Sequence, residues 1–286
     1  MQTRTVGPVT VSAIGLGGMP MSIEGRPDEA QSVRTIHAAL DAGVTLIDTA
    51  DAYHMNAGET GHNERLIAKA LASYPGDASD VLVATKGGHL RPGDGSWTVD
   101  GSPVHLREAA EASLKALGVD AIGLYQFHRP DPKVPYAESI GAIKELLDAG
   151  KIRVAGISNA SIEQIDLARS ILGEGNLASV QNQFSPAFRS SEGELEHCAA
   201  AGIAFLPWSP LGGIGRAGQL GRLHAAFGEI ATAHGVSPQQ VTLAWMLAKA
   251  PVVIPIPGAS RPESIIDSAQ APELTLTREE LAGLDA

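Results

Sequence analysis

The stretch Leu46-Ile47-Asp48-Thr49-Ala50-Asp51-Ala52-Tyr53 decides how the rest of the chain is interpreted. A short apolar run over 44–47 ends in the carboxylate of Asp48, and a tyrosine follows in a polar turn. A buried strand that delivers an aspartate at its carboxyl end is typical of sites on parallel α/β scaffolds. Taken alone, the segment favours a plainer interpretation, in which Asp48 caps a turn and Tyr53 packs on the surface. The remainder of the chain shifts that balance.

The order of strand followed by helix repeats along the whole chain. Continuous apolar runs such as Val81-Leu82-Val83-Ala84 are typical of parallel strands buried on both faces. Eight such units in 286 residues predict an α/β fold, a closed (β/α)8 TIM barrel rather than an open sheet. The Gly-x-Gly-x-x-Gly fingerprint of an open dinucleotide fold is missing, since Gly15-Leu16-Gly17-Gly18 does not fit it. The predicted strands span 13–16, 44–47, 81–85, 122–127, 152–157, 178–183, 203–207 and 252–255, and the predicted helices span 29–42, 62–72, 104–117, 136–149, 161–172, 192–201, 238–249 and 262–269.

Additional elements are predicted at both ends of the chain. An N-terminal β-hairpin over 4–14 turns at Gly7-Pro8, and a C-terminal capping helix over 277–286 begins with the capping box of Thr277 and Glu280. No interdomain linker interrupts the pattern, so residues 1–286 are predicted to form a single barrel domain. The loops 87–103 and 209–222 exceed the usual length, and long loops in compact domains are often lids.

Composition narrows the classes of partner and location. The formal charge of −11 argues against general nucleic-acid binding, and an anionic ligand would need a local patch of donors. No apolar run approaches the roughly 18 to 20 residues of a membrane span, and the N-terminus lacks a signal-peptide segment. Cys198 is the only cysteine, which excludes an intrachain disulfide and favours a cytoplasmic location.

Four polar residues lie at or just beyond the ends of three successive predicted strands. Asp48 ends the second strand, Lys86 the third and His128 the fourth, while Tyr53 follows on the adjoining loop. All such ends gather at one face of a barrel, around one cavity. Each residue alone has a structural interpretation, with Lys86 solvated and His128 satisfied within the fold. Their coincidence on neighbouring strands favours a site.

The set is chemically coherent as a proton-transfer centre. A tyrosine has a pKa of about 10, and an adjacent ammonium stabilises its phenolate. Asp48 would keep Lys86 charged, and a neutral His128 would orient a substrate carbonyl. Tyr53 would then be the general acid for carbonyl reduction and the base for alcohol oxidation. Side chains supply no hydride, so a nicotinamide cofactor is implied.

The sequence resembles the aldo-keto reductase superfamily over nearly its full length. The matching stretches are Leu46 to Tyr53, Val81 to Gly88, Leu124 to Pro130, Val154 to Asn159, Val180 to Phe184, Leu206 to Gly213 and Ile254 to Arg261. The resemblance implies a (β/α)8 reductase that uses NADPH/NADP+ on a small-molecule aldehyde or ketone. It also implies the tetrad Asp48, Tyr53, Lys86 and His128, with Ser158, Asn159 and Gln181 holding the nicotinamide carboxamide.

The same resemblance implies further cofactor contacts. Trp208 matches an aromatic residue that stacks on the nicotinamide ring, and a strand's carboxyl end favours that role over a plug at the barrel rim. Phosphates are expected at the loop after the seventh strand and before the last helix. The remaining predicted cofactor residues are Gly18, Met19, Ser209, Pro210, Leu211, Gly213, Ile256, Gly258, Ser260 and Arg261.

Departures from the family pattern weaken the predicted cofactor preference. Many relatives carry a lysine at the position of Gly258, and an arginine and an asparagine later in that helix, where Ser264 and Ser268 stand here. Arg261 alone is left to meet the 2′-phosphate of NADPH. A preference for NADPH is therefore expected, with NADH also possible.

The substrate side is predicted to include Met19, Trp97 and His128. For Trp97, two interpretations stay open, a lid residue that lines the pocket and an anchor of its loop. The segment from His54 to Asn63 is longer than expected, and its histidines lack a third ligand, so no metal site is predicted.

Two functional classes are compatible with the pattern. The leading one is a reductase, and the alternative is a nucleotide-binding regulatory protein of the same fold, like a potassium-channel β subunit. A monomer or weak homo-oligomer is expected, without nucleic-acid or membrane partners. The physiological substrate and direction cannot be read from this sequence, because specificity depends on loop shape.

Overall fold

The computed structural model describes residues 1–286 as eleven strands and eleven α-helices. The strands are β1 Thr3–Val6, β2 Val9–Ser12, β3 Leu16–Gly17, β4 Leu46–Asp48, β5 Leu82–Gly87, β6 His89–Leu90, β7 Thr98–Val99, β8 Ile122–Phe127, β9 Ile152–Ser158, β10 Leu177–Gln181 and β11 Ala204–Phe205. The helices are α1 Glu29–Asp41, α2 His62–Ala72, α3 Pro103–Leu117, α4 Tyr136–Asp148, α5 Ile162–Leu172, α6 Glu192–Ala201, α7 Leu220–Leu223, α8 Ala225–His234, α9 Pro238–Lys249, α10 Pro262–Ala269 and α11 Arg278–Asp285. Seven strands form one parallel sheet in the order β11-β10-β9-β8-β5-β4-β3. None of the helices combines the length and the hydropathy of a membrane span.

The eighth predicted strand closes the barrel without forming a regular strand. Its segment makes parallel bridges to β11 and to β3 at Phe205↔Val253 and Gly17↔Gly258. The carbonyls of Pro255 and Pro257 accept bonds of 2.9 Å from the amides of Gly15 and Gly17. The two prolines have no N–H to return, so a full ladder with β3 cannot form. The predicted (β/α)8 barrel is confirmed, and an incomplete hydrogen-bond ladder joins its eighth segment to β3.

The predicted N-terminal hairpin is confirmed, and it covers the amino end of the barrel. β1 and β2 pair with Val6 opposite Val9, and Gly7 turns with a φ of 56° that glycine adopts without strain. Val6 and Val11 belong to the apolar cluster inside the barrel. The carboxyl ends of the parallel strands therefore form the open face.

Helices surround the sheet, and local caps define their ends. Asp28 accepts a bond of 2.7 Å from the Gln31 amide at the start of α1. The predicted capping box of Thr277 and Glu280 is present at the start of α11. That helix packs on the side of the barrel, where Trp245 Nε1 donates to Asp285 Oδ1 at 2.7 Å.

The structure differs from the predicted elements in three regions. Helix α8 was missed, although Phe227, Ile230 and Ala231 have helical spacing; Phe227 packs on Trp245 with ring centroids 5.6 Å apart. The region 209–222, predicted as a loop, contains a helical turn at Ala217–Gln219 and the start of α7. The region 87–103 contains the small antiparallel hairpin β6–β7. Tertiary packing stabilises the helical turn, α7 and the β6–β7 hairpin, which are too short for a strong periodic signal.

Candidate active site

Lys86 lies at the centre of a buried polar cluster at the open face. Its Nζ contacts Asp48 Oδ2 at 2.7 Å, the Thr49 carbonyl at 2.7 Å and Tyr53 Oη at 3.2 Å. β4 and β5 are parallel neighbours, and Asp48 pairs with Ala84, two residues before the lysine. The strand register therefore brings Asp48 and Lys86 together. Of the predicted residues, Lys86 thus contacts both Asp48 and Tyr53 directly.

Burial sets the protonation states within this cluster. Burial raises the pKa of the Tyr53 phenol, and the positive charge of Lys86 opposes that shift without cancelling it. Burial also disfavours charge on Lys86, but Asp48 and then Tyr53 outweigh it and hold the pKa of the ammonium above its usual value. For the phenol pKa, the sequence argument considered only the neighbouring lysine and not burial. Both shifts favour a protonated phenol beside a charged ammonium at neutral pH.

A second polar contact crosses the barrel to Asp48. Gln181 Nε2, at the end of β10, donates to Asp48 Oδ1 at 2.8 Å. Gln126 extends this layer, accepting at 3.3 Å from Ser179 Oγ and lying 3.5 Å from Gln181 Nε2. The amide nitrogen of Gln181 is thus bonded within the protein, and its carbonyl oxygen is left as an acceptor.

His128 completes the predicted set beside the phenol. The rings of Tyr53 and His128 pack edge to face with centroids 5.9 Å apart. Burial, followed by the positive charge of Lys86, holds the pKa of His128 well below its usual value, so its imidazole is neutral. Its Nδ1 is buried without a hydrogen-bond partner, which leaves Nε2 as the accessible ring nitrogen.

Ser158 and Asn159 lie together at the carboxyl end of β9. Ser158 Oγ donates to the Gln181 carbonyl at 2.8 Å, and Asn159 Nδ2 donates to the His128 carbonyl at 3.0 Å. Asn159 adopts a φ of 57°, which asparagine tolerates better than most residues. Asn159 Oδ1 and Gln181 Oε1 have no donor within the protein. Two free acceptors fit the amino group of a carboxamide.

The loop after β11 presents an aromatic surface followed by a tight turn. Trp208 is half-buried and packs on the barrel interior, while its Nε1 is buried without a partner. Ser209 has a φ of 51°, and its carbonyl accepts from the Gly212 amide at 3.0 Å. A cavity of about 240 Å³ borders the same loop at Leu211 and Gly212. Pro210 is buried and Gly213 half-buried in this turn. The indole N–H of Trp208 is left as a donor for a bound ligand.

The segment between the closing strand and α10 combines a free cation with an open helix end. Arg261 is exposed, forms no salt bridge and occupies the N-cap of α10 without a side-chain cap. Ser260 is half-buried, and its carbonyl accepts from Gln31 Nε2 at 2.8 Å. Gly258 is exposed, whereas Ile256 packs inside the barrel. Arg261 and the helix amides suit a phosphate.

Gly18 and Met19 lie between β3 and the polar cluster. The Gly18 amide donates to the Asp48 carbonyl at 2.8 Å. A β-carbon on Gly18 would lie 2.4 Å from Asn63 Oδ1, so this close approach requires glycine. Met19 is half-buried and begins a short helical turn. Both residues therefore border the open face.

Trp97 lies on the β6–β7 hairpin and connects to His128 through a second histidine. Its ring stacks on His89 with centroids 4.7 Å apart, and His89 meets His128 edge to face at 4.8 Å. The Arg91 guanidinium covers Trp97 at 4.6 Å and donates to the His54 carbonyl at 2.7 Å. Trp97 is thus an anchored residue of its hairpin and also lies beside the site. The two interpretations, loop anchor and pocket-lining residue, are therefore compatible.

Sequence reasoning missed several buried residues that shape this face. Asn63 Nδ2 donates to the Gly18 carbonyl at 2.9 Å, and its Oδ1 accepts from Thr49 Oγ1 at 2.6 Å. Glu64 accepts from Thr85 Oγ1 at 2.6 Å. Burial, followed by the charge of Glu64, raises the pKa of the Asp51 carboxyl well above its usual value. For Asn63 and Glu64, the only sequence signal was a polar residue at a position of α2 that helical spacing places on the buried face.

The long segment between Tyr53 and Glu64 is organised by one carboxylate. Glu59 accepts two bonds from Arg26, at 3.0 and 3.1 Å, and one from the Asn56 amide at 3.2 Å. His54 Nδ1 lies 2.9 Å from the Asn56 carbonyl. No group of three histidine, cysteine, aspartate or glutamate side chains is arranged to hold a metal ion.

Comparison with known proteins gives concordant matches. A model described as the Aldo/keto reductase family matches residues 13–286. The 6-dehydroglucose reductase of Novosphingobium aromaticivorans is 34% identical, over 95% of this chain and 90% of its own length. An uncharacterized oxidoreductase of Schizosaccharomyces pombe is 33% identical, over 99% of this chain and 89% of its own. An aldo-keto reductase from Klebsiella pneumoniae, solved in complex with NADPH, has a TM-score of 0.81 at 30% identity, covering 100% of this chain and 95% of that one.

Proposed function

The chain belongs to the aldo/keto reductase family, and on this premise we propose that it reversibly reduces an aldehyde or ketone to an alcohol with NADPH. The observation that carries the proposal is the contact of Lys86 Nζ with both Asp48 Oδ2 and Tyr53 Oη, at 2.7 and 3.2 Å. A buried phenol beside a charge-paired ammonium is a proton donor whose conjugate base is stabilised.

Each residue of the cluster has a separate task in the proposed reaction. When bound, the reduced nicotinamide supplies the hydride. Tyr53 Oη donates the proton to the carbonyl oxygen, and Lys86 stabilises the phenolate that remains. Asp48 keeps the ammonium charged and aimed at the phenol, while the neutral His128 donates a hydrogen bond that orients the carbonyl. Alcohol oxidation uses the same groups in reverse.

The predicted cofactor residues form the binding surface of this proposal. Gln181 and Asn159 offer acceptors to the carboxamide, and Trp208 offers a face for the ring. Arg261 supplies a charge-assisted bond for the 2′-phosphate. The Klebsiella relative crystallised with NADPH supports this choice of cofactor. The absence of a second basic side chain in 257–261 keeps NADH possible.

The regulatory alternative predicts nucleotide binding without turnover. The experiment measures NADPH consumption with 4-nitrobenzaldehyde and with ketones, for the wild type and Tyr53→Phe. We expect the variant to lose roughly 10²–10⁴-fold in the rate of reduction, the range for a general acid, with nearly unchanged NADPH affinity. Wild-type turnover in Tyr53→Phe would refute the role of Tyr53. A wild type that binds NADPH but reduces no carbonyl in the panel would favour the regulatory class.

A further inference from the structure

Arg129 follows His128 directly and has no partner in the protein. Its side chain is half-buried, and its Nε is enclosed without a hydrogen-bond acceptor. No carboxylate forms a salt bridge with it, although the chain carries 32 acidic against 21 basic residues. Asp131, two residues on, accepts instead from the amides of Gly101 and Lys133, at 3.0 and 2.9 Å. A half-buried guanidinium with an enclosed, unpartnered Nε, next in the chain to His128, is the feature to explain.

A second arginine, Arg91, lies beside Trp97 and already has partners within the protein. Arg91 donates to the His54 carbonyl at 2.7 Å, pairs with Glu24 and covers the ring of Trp97. Lys86 is likewise paired with Asp48. Of the three cations Lys86, Arg91 and Arg129, only Arg129 therefore lacks a carboxylate partner.

His89 lies between the proposed catalytic residues and Trp97, and it is also without a hydrogen-bond partner. Its ring packs on Trp97 at 4.7 Å and against His128 at 4.8 Å. Burial, followed by the positive charges of Arg129 and Lys86, lowers the pKa of His89 to about 4. The imidazole is therefore neutral at physiological pH and carries one N–H donor. Arg129 also contributes to the lowered pKa of His128, which it directly follows in the chain, so its positive charge acts on both histidines.

We propose that Arg129 and His89 form a subsite for a carboxylate on the substrate, so that this enzyme acts on oxo acids. This inference rests on the proposed carbonyl reduction. The carbonyl would be held by Tyr53 and His128, and the carboxylate by the neighbouring guanidinium and imidazole. Charge-assisted hydrogen bonds to a guanidinium are among the strongest polar contacts available. Trp97 would provide an apolar face for the atoms between the two groups.

The chemistry leaves the recognised carboxylate unchanged. The carbonyl carbon gains the hydride and its oxygen gains the Tyr53 proton, so that C=O becomes CH–OH while the nicotinamide is oxidised. An anionic substrate must also approach a chain with a formal charge of −11. Local positive charge at Arg129 offsets that repulsion where the substrate binds.

The test compares 4-carboxybenzaldehyde with its uncharged methyl ester, methyl 4-formylbenzoate. Arg129→Gln should lower kcat/KM for the acid by roughly 10- to 100-fold, the scale of a hydrogen bond to a charged group. The ester should change by less than about threefold, because it makes no charge-assisted bond. Arg129→Lys should retain more of the acid rate than Arg129→Gln. His89→Phe keeps the ring stack with Trp97, and it should lower the acid rate by a smaller factor.

Arg153→Gln is the matched control for the change in net charge. Arg153 is exposed near the amino end of β9, on the opposite face of the barrel. Equal losses for acid and ester in Arg129→Gln, or an acid-selective loss in Arg153→Gln, would overturn the subsite while leaving the proposed reduction intact.

Binding measurements keep the subsite testable even if reduction fails. Affinities of 4-carboxybenzyl alcohol and benzyl alcohol are measured by calorimetry on the NADP+-loaded protein. Weaker binding of the acid alone in Arg129→Gln supports the subsite. Identical affinities of the acid for wild type and variant reject it. Failure of the wild type to reduce any carbonyl instead contradicts the proposed function.

Discussion

The polar cluster around Lys86 and the exposed rim around Arg261 are organised in opposite ways. Lys86, Asp48 and Tyr53 are 0, 3 and 7% exposed, and each contacts another member of the cluster. Arg261 and Ser260 follow the segment that closes the barrel, and neither side chain has a hydrogen-bond or salt-bridge partner within the protein. The cluster is therefore organised by the protein alone, whereas the rim offers groups that a ligand would complete.

The physical reason is the cost of burying charge. An ammonium in the interior loses several kcal/mol of hydration unless a carboxylate and hydrogen bonds replace it. The fold must therefore hold Lys86 and Asp48 together whether or not a cofactor is bound. An exposed guanidinium keeps its water, so packing does not constrain it. Mutations in the two regions should consequently have different signatures.

The largest effect is expected in the cluster, from Lys86→Met. Loss of the ammonium leaves an unassisted phenol, and we expect reduction to slow by roughly 10²–10⁴-fold. The unpaired Asp48 carboxylate should also lower the free energy of unfolding by about 3–5 kcal/mol. Steady-state rates and urea denaturation measure the two effects.

The double variant Asp48→Asn/Lys86→Met separates chemistry from stability. It removes the stranded charge, so we expect part of the lost unfolding free energy to return while reduction stays slow. Near wild-type reduction by Lys86→Met would instead mean that the proton comes from another source.

An intermediate effect is expected at the rim, from Arg261→Ala. The dissociation constant of NADPH should rise by about 1–3 kcal/mol in free-energy terms, the scale of a hydrogen bond to a charged group. NADH affinity and the stability of the unliganded protein should barely change, because Arg261 has no partner in the chain. Fluorescence titration with both cofactors measures this, with Arg153→Ala as the charge-matched control. Equal losses for NADH and NADPH would show that Arg261 does not read the 2′-phosphate.

The smallest effect is expected on the β6–β7 hairpin beside the cluster, from Trp97→Ala. The stack on His89 contributes on the order of 0.5–1.5 kcal/mol, so KM should shift by a few-fold and differ between small and aromatic aldehydes. Cofactor affinity should stay constant. Trp97→Phe preserves an aromatic face and should restore most of the pattern. Uniform kinetics across the panel would leave Trp97 as an anchor of its hairpin alone.

Much of this architecture could be predicted from local patterns. Apolar runs and helical periodicity predicted the barrel, because parallel strands buried on both faces require such runs. The barrel then brought Asp48, Lys86 and His128 to one face. The β6–β7 hairpin was missed because strands of two residues depend on what they pack against. Helix α8 was missed although its ten residues carry helical spacing. The prediction of a single domain over 1–286, the oligomeric state and the location stay predictions.

The sequence by itself determined which residues stand at the strand ends, because the apolar runs and their order along the chain can be read locally. Only the tertiary structure decided which distant groups touch. The Gln181 bond to Asp48 crosses the barrel, and His89 reaches His128 from a hairpin that local propensity does not reveal. The protonation of Tyr53 was likewise decided by burial, which outweighs the nearby ammonium. Desolvation and cross-barrel contacts depend on the whole packed assembly, which no single stretch of sequence encodes.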